Sequence, residues 1–447
     1  MHKIIGCLVI IACTTAGAMA QRNLKPVVDQ AAQAIEAKVI AWRRDFHQNP
    51  ELGNQEFRTS KIVADHLRKL GYDVKENVAV TGVVAVLKGG KPGPVVALRA
   101  DMDGLPVTER VDLPFKSTVV TEFNNQKTGV MHACGHDSHV AMLMGVAEVL
   151  AGIQKDLAGT VKLIFQPAEE GVYDGSTFGA NRMVIEGVLD NPKVDAIFGL
   201  HINSLTEVGK IRYRPGATMA AVDQLSIKLK GKQTHGASPW FGVDPIVTAS
   251  QIIMGLQTII SRNVNITENP AVVTVGAIHG GIRHNIIPET VEMIGTIRTF
   301  GDRQQELVHR RIREVSSNIA ESAGANAEVK IDIGYPSTIN DEALTDRMIP
   351  TLEALAGKEN VVITPVQTGA EDFSYFQKKI PGFFFFLGGL PKGKSPYDAA
   401  PHHTPDFFID ESGFLLGIKS LSHLVLDYLE PSIQTTQGTT KTKKASK

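Results

Sequence analysis

The sequence predicts an α/β fold in which a mostly parallel sheet is flanked by helices and a smaller α+β domain is inserted. Continuous runs of apolar and β-branched residues alternate with helical patterns early in the chain and again near its end. Such strands are typical of parallel sheets that helices cover on both faces. Between these two parts the strands alternate in polarity instead. A chain of 447 residues has room for two or three domains.

The first part, residues 21–216, is predicted to contain two opening helices and a set of short strands. The first helix begins near Val27, and the second begins at Ser60 and stops at Gly71. The predicted strands, bounded by Gly and Pro, cover residues 72–75, 82–87, 95–99, 160–165 and 195–200.

Acidic residues and a histidine follow three of these strands. Asp101 comes just after the third strand, and His201 directly follows the fifth. Glu169 and Glu170 follow the fourth. Ligands of parallel sheets bind beyond the carboxyl ends of the strands, so we expect these side chains to gather at one edge. A glutamate pair alone would indicate a solvated turn, but the two other strand ends argue against that reading.

The stretch from Met131 to His139, MHACGHDSH, holds three His, one Cys and one Asp. Cys134 and His136 are separated by one glycine, and an apolar helical run starts at Val140. A thiolate and an imidazole on a loop before a helix are suitable metal ligands, and the helix N-terminus helps to hold the thiolate. The alternative is a polar loop with a buried, inert cysteine.

The middle part, residues 217–334, shows the order βαββαβ of a ferredoxin-like split unit. The first part is predicted to resume over residues 335–431, with a fully buried strand that includes four consecutive Phe and a closing helix. The tail, residues 432–447, is rich in Thr, Lys, Gln and Ser and is predicted to be disordered.

Residues 1–20 predict export. An apolar run follows Lys3, and Ala18-Met19-Ala20 is an A-x-A cleavage site of a secretory signal peptide. The alternative is a lipoprotein signal with lipidation at Cys13. Both predict a periplasmic or secreted protein. Removal of residues 1–20 leaves Cys134 as the lone cysteine, and a lone thiol in an oxidising compartment is either buried and inert or bound to a metal.

Charge and hydropathy exclude some partners. The formal net charge is -1 at pH 7, which gives no indication of nucleic-acid binding or of an anionic membrane surface. After the N-terminal segment, no apolar run is long enough to predict a transmembrane helix.

Several motifs, taken together, resemble those of a known family. In chain order they are RADMDGLP, MHACGHDSH, QPAEEG, GKQTHGASPW, HNIIPET, TGAEDFSYF and HHTPDF. Over about residues 30 to 430 the chain resembles the metallopeptidase family of aminoacylases, carboxypeptidase G and hippurate hydrolases, with a zinc-peptidase-like catalytic fold. It is most similar to the subfamily of bacterial N-acyl-amino-acid amidohydrolases and plant auxin-conjugate hydrolases.

The resemblance implies two divalent metal ions per subunit, with Zn, Mn, Co and Ni as candidates. Glu169 matches the general base, and Asp101 matches an aspartate that supports the metals. Arg99 stands where more distant relatives have a metal-binding His, so it is not expected to be a ligand. His403 is preferred to His402 because it directly precedes Thr-Pro. The implied metal ligands are Cys134, His136, Glu170, His201 and His403.

The resemblance also implies that the inserted domain forms a homodimer. His235 and Asn285 would then reach the active site of the neighbouring subunit to bind substrate, and His235 would stabilise the oxyanion.

The expected reaction is hydrolysis of the amide bond of an N-acyl amino acid, such as a hippurate-like compound, or of a small peptide. A metal-activated water would attack, with Glu169 as the base. The alternatives are an exported dipeptidase or carboxypeptidase, a Cys134 nucleophile, and a non-catalytic metal-binding protein. A closed structural metal site needs no free carboxylate beside its ligands, so Glu169 favours an enzyme.

Overall fold

The structure is a computed structural model that describes residues 23–172 and 177–430. The predicted signal peptide, residues 1–20, and the predicted disordered tail, residues 432–447, lie outside these ranges.

The chain before the inserted part forms four helices and most of the large sheet. The helices are α1 (Lys25–Gln48), α2 (Phe57–Lys69), α3 (His136–Gly152) and α4 (Gly179–Ile185). The strands are β1 (Asp73–Val78), β2 (Gly82–Lys88), β3 (Lys91–Asp101), β4 (Val120–Phe123), β5 (Gln126–Gly129), β6 (Ala158–Gln166), β7 (Ala196–Glu207), β8 (Ile211–Tyr213) and β9 (Gly216–Met219).

The inserted part and the returning chain supply the remaining elements. The inserted part contains β10 (Ala221–Lys230), β11 (Thr234–His235), α5 (Pro245–Arg262), β12 (Val272–Gly280), β13 (Ile286–Ile287), β14 (Thr290–Thr299), α6 (Asp302–Ser322) and β15 (Asn326–Ile333). The returning chain contains β16 (Thr338–Asn340), α7 (Glu342–Ala356), β17 (Val361–Ile363), α8 (Ser374–Gln377), β18 (Gly382–Leu390) and α9 (Phe414–Leu429).

The large sheet has eight strands in the order β1-β2-β6-β3-β7-β18-β8-β17. Its centre is parallel, because β6, β3, β7 and β18 run in one direction, and β8 and β17 also pair in parallel. The other neighbours are antiparallel. The prediction of a mostly parallel sheet is therefore confirmed, and the carboxyl ends of β3, β6 and β7 lie together at one edge.

Strand β18 explains the four consecutive phenylalanines. Every residue of the strand is buried, and its side chains alternate between the two faces of the sheet. Phe383 and Phe385 join the core on the face covered by α1, α3 and α9, whereas Phe384 and Phe386 pack on the opposite face with Phe373 of the returning chain. A strand buried on both faces must be apolar at every position.

The inserted part is a four-stranded antiparallel sheet in the order β12-β14-β10-β15. Helices α5 and α6 pack against each other and share a core with the sheet, including Leu256, Ile312 and Ile227. This strand order confirms the predicted ferredoxin-like unit.

Two features differ from the expectation. Strand β7 does not end at Leu200 but continues to Glu207, so His201 lies within the strand. After His201 the strand stays paired with β18 as far as Glu207, while buried and half-buried residues alternate along it. A polar hairpin, β4–β5, was not predicted, because its strands have no apolar run, and its turn is formed by Asn124 and Asn125 with positive φ.

Within the described residues, no helix is both long enough and apolar enough to cross a membrane.

Replacement of Phe385 by Ala tests the central strand. The side chain is fully buried, so its removal leaves a cavity that should lower the free energy of unfolding by about 3–5 kcal/mol. The matched control is Phe57→Ala, because Phe57 is 64% exposed; it should change that free energy by less than about 0.5 kcal/mol. Urea unfolding of both variants measures the difference, and equal stabilities would contradict the packing described.

Candidate metal centre

The five predicted metal ligands lie together at the carboxyl edge of the large sheet. The Cys134 Sγ atom lies 3.4 Å from Nε2 of His201 and 3.3 Å from Nε2 of His403. The same His403 nitrogen is 2.9 Å from Oε1 of Glu170. The ligand atoms form overlapping groups whose members lie within 4.8 Å of one another: Cys134 with His136 and His201, Cys134 with Glu170 and His403, and His136 with Glu169 and Glu170.

The loop before α3 needs glycine to present two of these ligands. Gly135 has φ +97, and a Cβ atom there would stand 2.3 Å from Cγ2 of Ile202. The backbone therefore turns sharply between Cys134 and His136, and helix α3 begins at His136. The Ser138 hydroxyl donates to the Gly135 carbonyl at 2.5 Å and holds the turn.

His136 is oriented by Asp103. Its Nδ1 donates to the backbone carbonyl of Asp103 at 2.9 Å, and Oδ1 of the same residue is 3.2 Å away. The other nitrogen, Nε2, is buried and has no hydrogen-bond partner among the described residues. An imidazole fixed through one nitrogen, with the other free and facing a ligand cluster, is the arrangement that metal-binding histidines show.

The charges of the site also suit a cation. Burial lowers the pKa of His136, but the nearby Asp101 and Asp103 raise it to about 10. Burial raises the pKa of the Cys134 thiol well above its usual range, and Glu170 and Glu169 raise it further. A buried cluster with this surplus of carboxylates favours a positive charge, and a divalent metal ion supplies one. The residues present therefore fit a metal centre.

The two neighbouring histidines of the late motif have different surroundings. In His402, Nε2 accepts from the Ser204 amide at 3.2 Å and Nδ1 donates to the Cys134 carbonyl at 3.1 Å. Both ring nitrogens of His402 thus form hydrogen bonds with backbone groups. His403 points its Nε2 at Cys134 and Glu170 and has φ +62, a conformation that non-glycine residues adopt rarely.

Asp101 is the hub of a buried polar network beside the ligands. Its carboxylate accepts from His139 Nδ1 and from Arg99, both at 2.6 Å. Burial alone would raise the pKa of Asp101, but the charges of Arg99, His136 and His139 hold it well below its usual range. His139 uses its Nε2 to accept the Ile202 amide at 2.8 Å, so it orients Asp101 and has no free nitrogen.

Glu169 lies next to the ligands and next to two further acids. Its Oε2 is 4.0 Å from Nε2 of His136, and Glu371 and Asp372 lie on its other side. Burial raises the pKa of Glu169 well above its usual range, and the charges of Glu371 and Glu170 add to the effect. A carboxylate with a raised pKa accepts a proton readily, as a general base at neutral pH must.

A cavity of about 330 Å³ opens over these residues. Four of the predicted ligands and Glu169 line it together with residues of the later chain: Cys134, Glu170, His201, His403, Met219, Tyr335, Gln367 and Gly369.

His235 and Asn285 do not border this cavity. His235 is exposed on β11, which pairs with β13, and the Gly236 amide donates to the Asn285 carbonyl at 2.8 Å. The two residues are thus neighbours within the inserted part, and their action on a second subunit stays a prediction.

The sequence predicts no role for several residues of the site. Asp103, Glu371 and Asp372 stand inside the motifs, but the contacts that they make are long-range. Arg99 binds Asp372 at 2.9 Å and Glu371 at 3.0 Å, across more than half of the chain. Only the acidic character of RADMDG and TGAEDF indicated them.

Comparison with known proteins decides the family. Residues 97–427 match the model of peptidase family M20/M25/M40. The chain belongs to this family. The thermostable carboxypeptidase 2 of Saccharolobus solfataricus is 42% identical over 394 residues, which cover 88% of this chain and 95% of that protein. The N-acetyl-L-cysteine deacetylase of Bacillus subtilis is 39% identical over 381 residues, which cover 85% of this chain and 86% of that protein.

A solved structure agrees. A Bacillus subtilis protein described as a dinuclear metal-binding peptidase of the M20 family superposes with a TM-score of 0.74 and 36% identity, over 89% of this chain and 99% of that one. The resemblance inferred from the motifs is therefore confirmed. This M20 protein is a metal-dependent hydrolase of amide or peptide bonds.

Thiol labelling tests whether Cys134 is a ligand. A metal bound to the sulfur masks it, so a maleimide should label the metal-loaded enzyme at least about tenfold more slowly than the chelated enzyme. Cys134→Ser supplies the background from any other thiol. Equal rates before and after chelation, with circular dichroism unchanged, would show that Cys134 is not a ligand.

Proposed function

We propose that this hydrolase cleaves the amide bond of small N-acyl amino acids, with Glu169 as the general base. The observation that carries the proposal is the position of Glu169, whose carboxylate lies beside His136 and Glu170 and borders the cavity. A closed structural metal site has no use for a buried acid at this place. The same observation argues against a non-catalytic metal-binding protein.

In the proposed mechanism the residues of the site have different roles. Two divalent ions held by Cys134, His136, Glu170, His201 and His403 would supply a water acidic enough to attack at neutral pH and would polarise the carbonyl. Glu169 takes the proton of the attacking water on a carboxylate oxygen and returns it to the leaving nitrogen. Asp101 keeps the metal side of the site negatively charged, and Asp103 fixes the ring of His136.

The chemical types of the ligand atoms indicate which metals the site would accept. Cys134 is a soft ligand, the histidines are intermediate, and Glu170 is hard. Zn, Mn, Co and Ni all accept such mixed donors, and the thiolate favours zinc among them. Metal analysis of the purified protein distinguishes these ions.

The size of the cavity supports a small substrate. About 330 Å³ accommodates an N-acyl amino acid or a dipeptide but not a folded polypeptide. Among the relatives, the name of the deacetylase describes an N-acyl amino acid substrate. The second candidate, a carboxypeptidase or dipeptidase, is supported by the name of the Saccharolobus protein. Hydrolysis of hippurate-like compounds faster than of matched dipeptides would favour the first.

The inserted part supports a homodimer. It exposes several large apolar side chains, including Trp240 at 72%, Met254 at 70% and Ile282 at 97%. Side chains of this kind mark protein interfaces where they form a contiguous patch. In a twofold dimer, His235 and Asn285 of one subunit would reach the cavity of the other.

Export is proposed on the sequence of residues 1–20 alone. We place the mature enzyme in the periplasm or outside the cell, with lipid anchoring through Cys13 as the alternative.

Two neighbouring glutamates should separate catalysis from metal binding. Glu169→Ala should keep its metal and lose at least about 100-fold in kcat, because the base is removed. Glu170→Ala should lose metal as well as activity. Steady-state assays with hippurate and metal analysis by mass spectrometry measure both. If Glu169→Ala retains near-normal kcat, the assignment of the base is wrong.

Mixing of two inactive variants tests the role of His235. Glu169→Ala and His235→Ala should each be nearly inactive. After dissociation and random reassociation about half of the dimers are mixed, and each has one site with an intact Glu169 and a His235 from the partner chain. Activity should return to about a quarter of the wild-type value. Native mass spectrometry confirms the mixing, and activity that stays at the level of the separate variants would exclude action in trans.

A further inference from the structure

The turn that carries Glu169 adopts a conformation that its sequence does not favour. Ala168 has φ +51, which L-residues other than glycine adopt rarely, and Gly171 follows with φ +100. The turn begins directly after β6, so the chain must reverse within a few residues to place two glutamates at the ligand cluster. Contacts with other segments therefore have to hold it.

Among the described residues, three side chains from distant segments bond the backbone of this turn, each at a different group. Glu56 accepts the Ala168 amide at 2.8 Å, and Asp103 accepts the Glu170 amide at 2.9 Å. Tyr335 donates its hydroxyl to the carbonyl of Glu169 itself at 2.5 Å. The first two belong to the part of the chain that carries the metal ligands.

Tyr335 belongs to a different place, the point where the chain returns from the inserted part. The Val222 amide donates to the Tyr335 carbonyl at 3.0 Å, and the Gly334 amide donates to the Val222 carbonyl at 3.0 Å. These bonds tie the two chain crossings between the units together. The tyrosine is therefore attached to the connection between the units, and its hydroxyl follows the orientation of that connection.

The surroundings of Tyr335 keep its hydroxyl in the donor form. Burial raises the pKa of the phenol, and the charges of Glu169 and Asp372 raise it further. The ring packs edge-on against Phe178 and Tyr375, with centroids 6.1 and 6.3 Å away. The bond to Glu169 is thus a neutral hydrogen bond from a ring that its neighbours hold in place.

We infer that Tyr335 is a positioning residue that couples the inserted unit to the catalytic base. When the connection between the units has the orientation seen here, the hydroxyl fixes the backbone of Glu169 and with it the carboxylate. A change in that orientation breaks the hydrogen bond from Tyr335. The strained turn then keeps only the hydrogen bonds to Glu56 and Asp103 described above. The inference rests on the proposed role of Glu169 and adds a path by which the inserted unit controls it.

A pair of tyrosines on the same connection provides the test. Tyr335→Phe removes only the hydroxyl and keeps the ring contacts. The matched control is Tyr375→Phe, because its hydroxyl donates to the Gly334 carbonyl at 3.1 Å and, among the described residues, forms no hydrogen bond with the turn. Loss of one hydrogen bond that orients the base should lower kcat of Tyr335→Phe about tenfold with KM and metal content unchanged. Tyr375→Phe should stay within about twofold of wild type.

Hydrogen exchange gives a readout that is independent of activity. In Tyr335→Phe the amides of residues 166–172 should exchange about tenfold faster, whereas those of α3 should be unchanged. In Tyr375→Phe both regions should exchange as in the wild type.

Glu169→Ala, measured in parallel, separates the coupling through Tyr335 from the role of Glu169 as the base. If it is inactive while Tyr335→Phe has normal kcat and exchange, the coupling is wrong and the base is right. If Glu169→Ala is active, the proposed base itself is wrong. Equal losses in the two tyrosine variants, or failure of Tyr335→Phe to fold, would also overturn the coupling, since a hydroxyl that only positions the base is dispensable for folding.

Discussion

The buried guanidinium of Arg99 is the interaction on which the rest of the site depends. It is fully buried on the central strand β3 and binds Asp101, Glu371 and Asp372, while its Nε donates to Gln166 at 2.8 Å. A lone charge in this position would be strongly destabilising, and so would three unpaired carboxylates. Together they form a compensated cluster. Strand β3 thus carries the counter-ion of these acids.

This arrangement determines where negative charge remains available. Arg99 forms ion pairs with Asp101, Glu371 and Asp372, whereas Glu169, Glu170 and Cys134 face the cavity. The acidic groups that Arg99 does not pair therefore lie on the side where the predicted metal ligands converge. The raised pKa values of Cys134 and Glu169 express the same imbalance, because burial and neighbouring carboxylates both oppose the loss of their protons. Binding of a divalent cation compensates this imbalance of charge.

The resemblance to the family implied the set of ligands, and local rules predicted that several residues of the site would lie together. Asp101 and Glu170 stand at strand ends of a parallel sheet, and Cys134 and His136 stand before an apolar helix; both are patterns of a few residues. The residues that orient the ligands lie within the motifs, but the sequence alone assigned them no role. Their partners are far away in sequence: Asp372 meets Arg99 across 273 positions, and no local periodicity encodes such a pairing.

In the fold as well, features with a local sequence pattern were predictable and features set by distant neighbours were not. The buried strand with four Phe and the order of the inserted sheet were predictable, because burial and alternation leave a clear period in the sequence. The polar hairpin β4–β5 and the extension of β7 were not, because their pairing depends on neighbours rather than on composition.

The connection between the two units fixes both ends of the large insertion close to the site. Strands β9 and β16 pair antiparallel where the chain leaves and returns, so both ends of the insertion are fixed to the same small ladder. Lys378 and Asp302 form a further ion pair across the units. In the part of the chain that the structure describes, the insertion shares no strand with the large sheet, so its orientation is set by this ladder and by a few side-chain contacts beside it. Tyr335 lies next to the ladder and links the connection to the site, because its carbonyl accepts the Val222 amide and its hydroxyl donates to the Glu169 carbonyl.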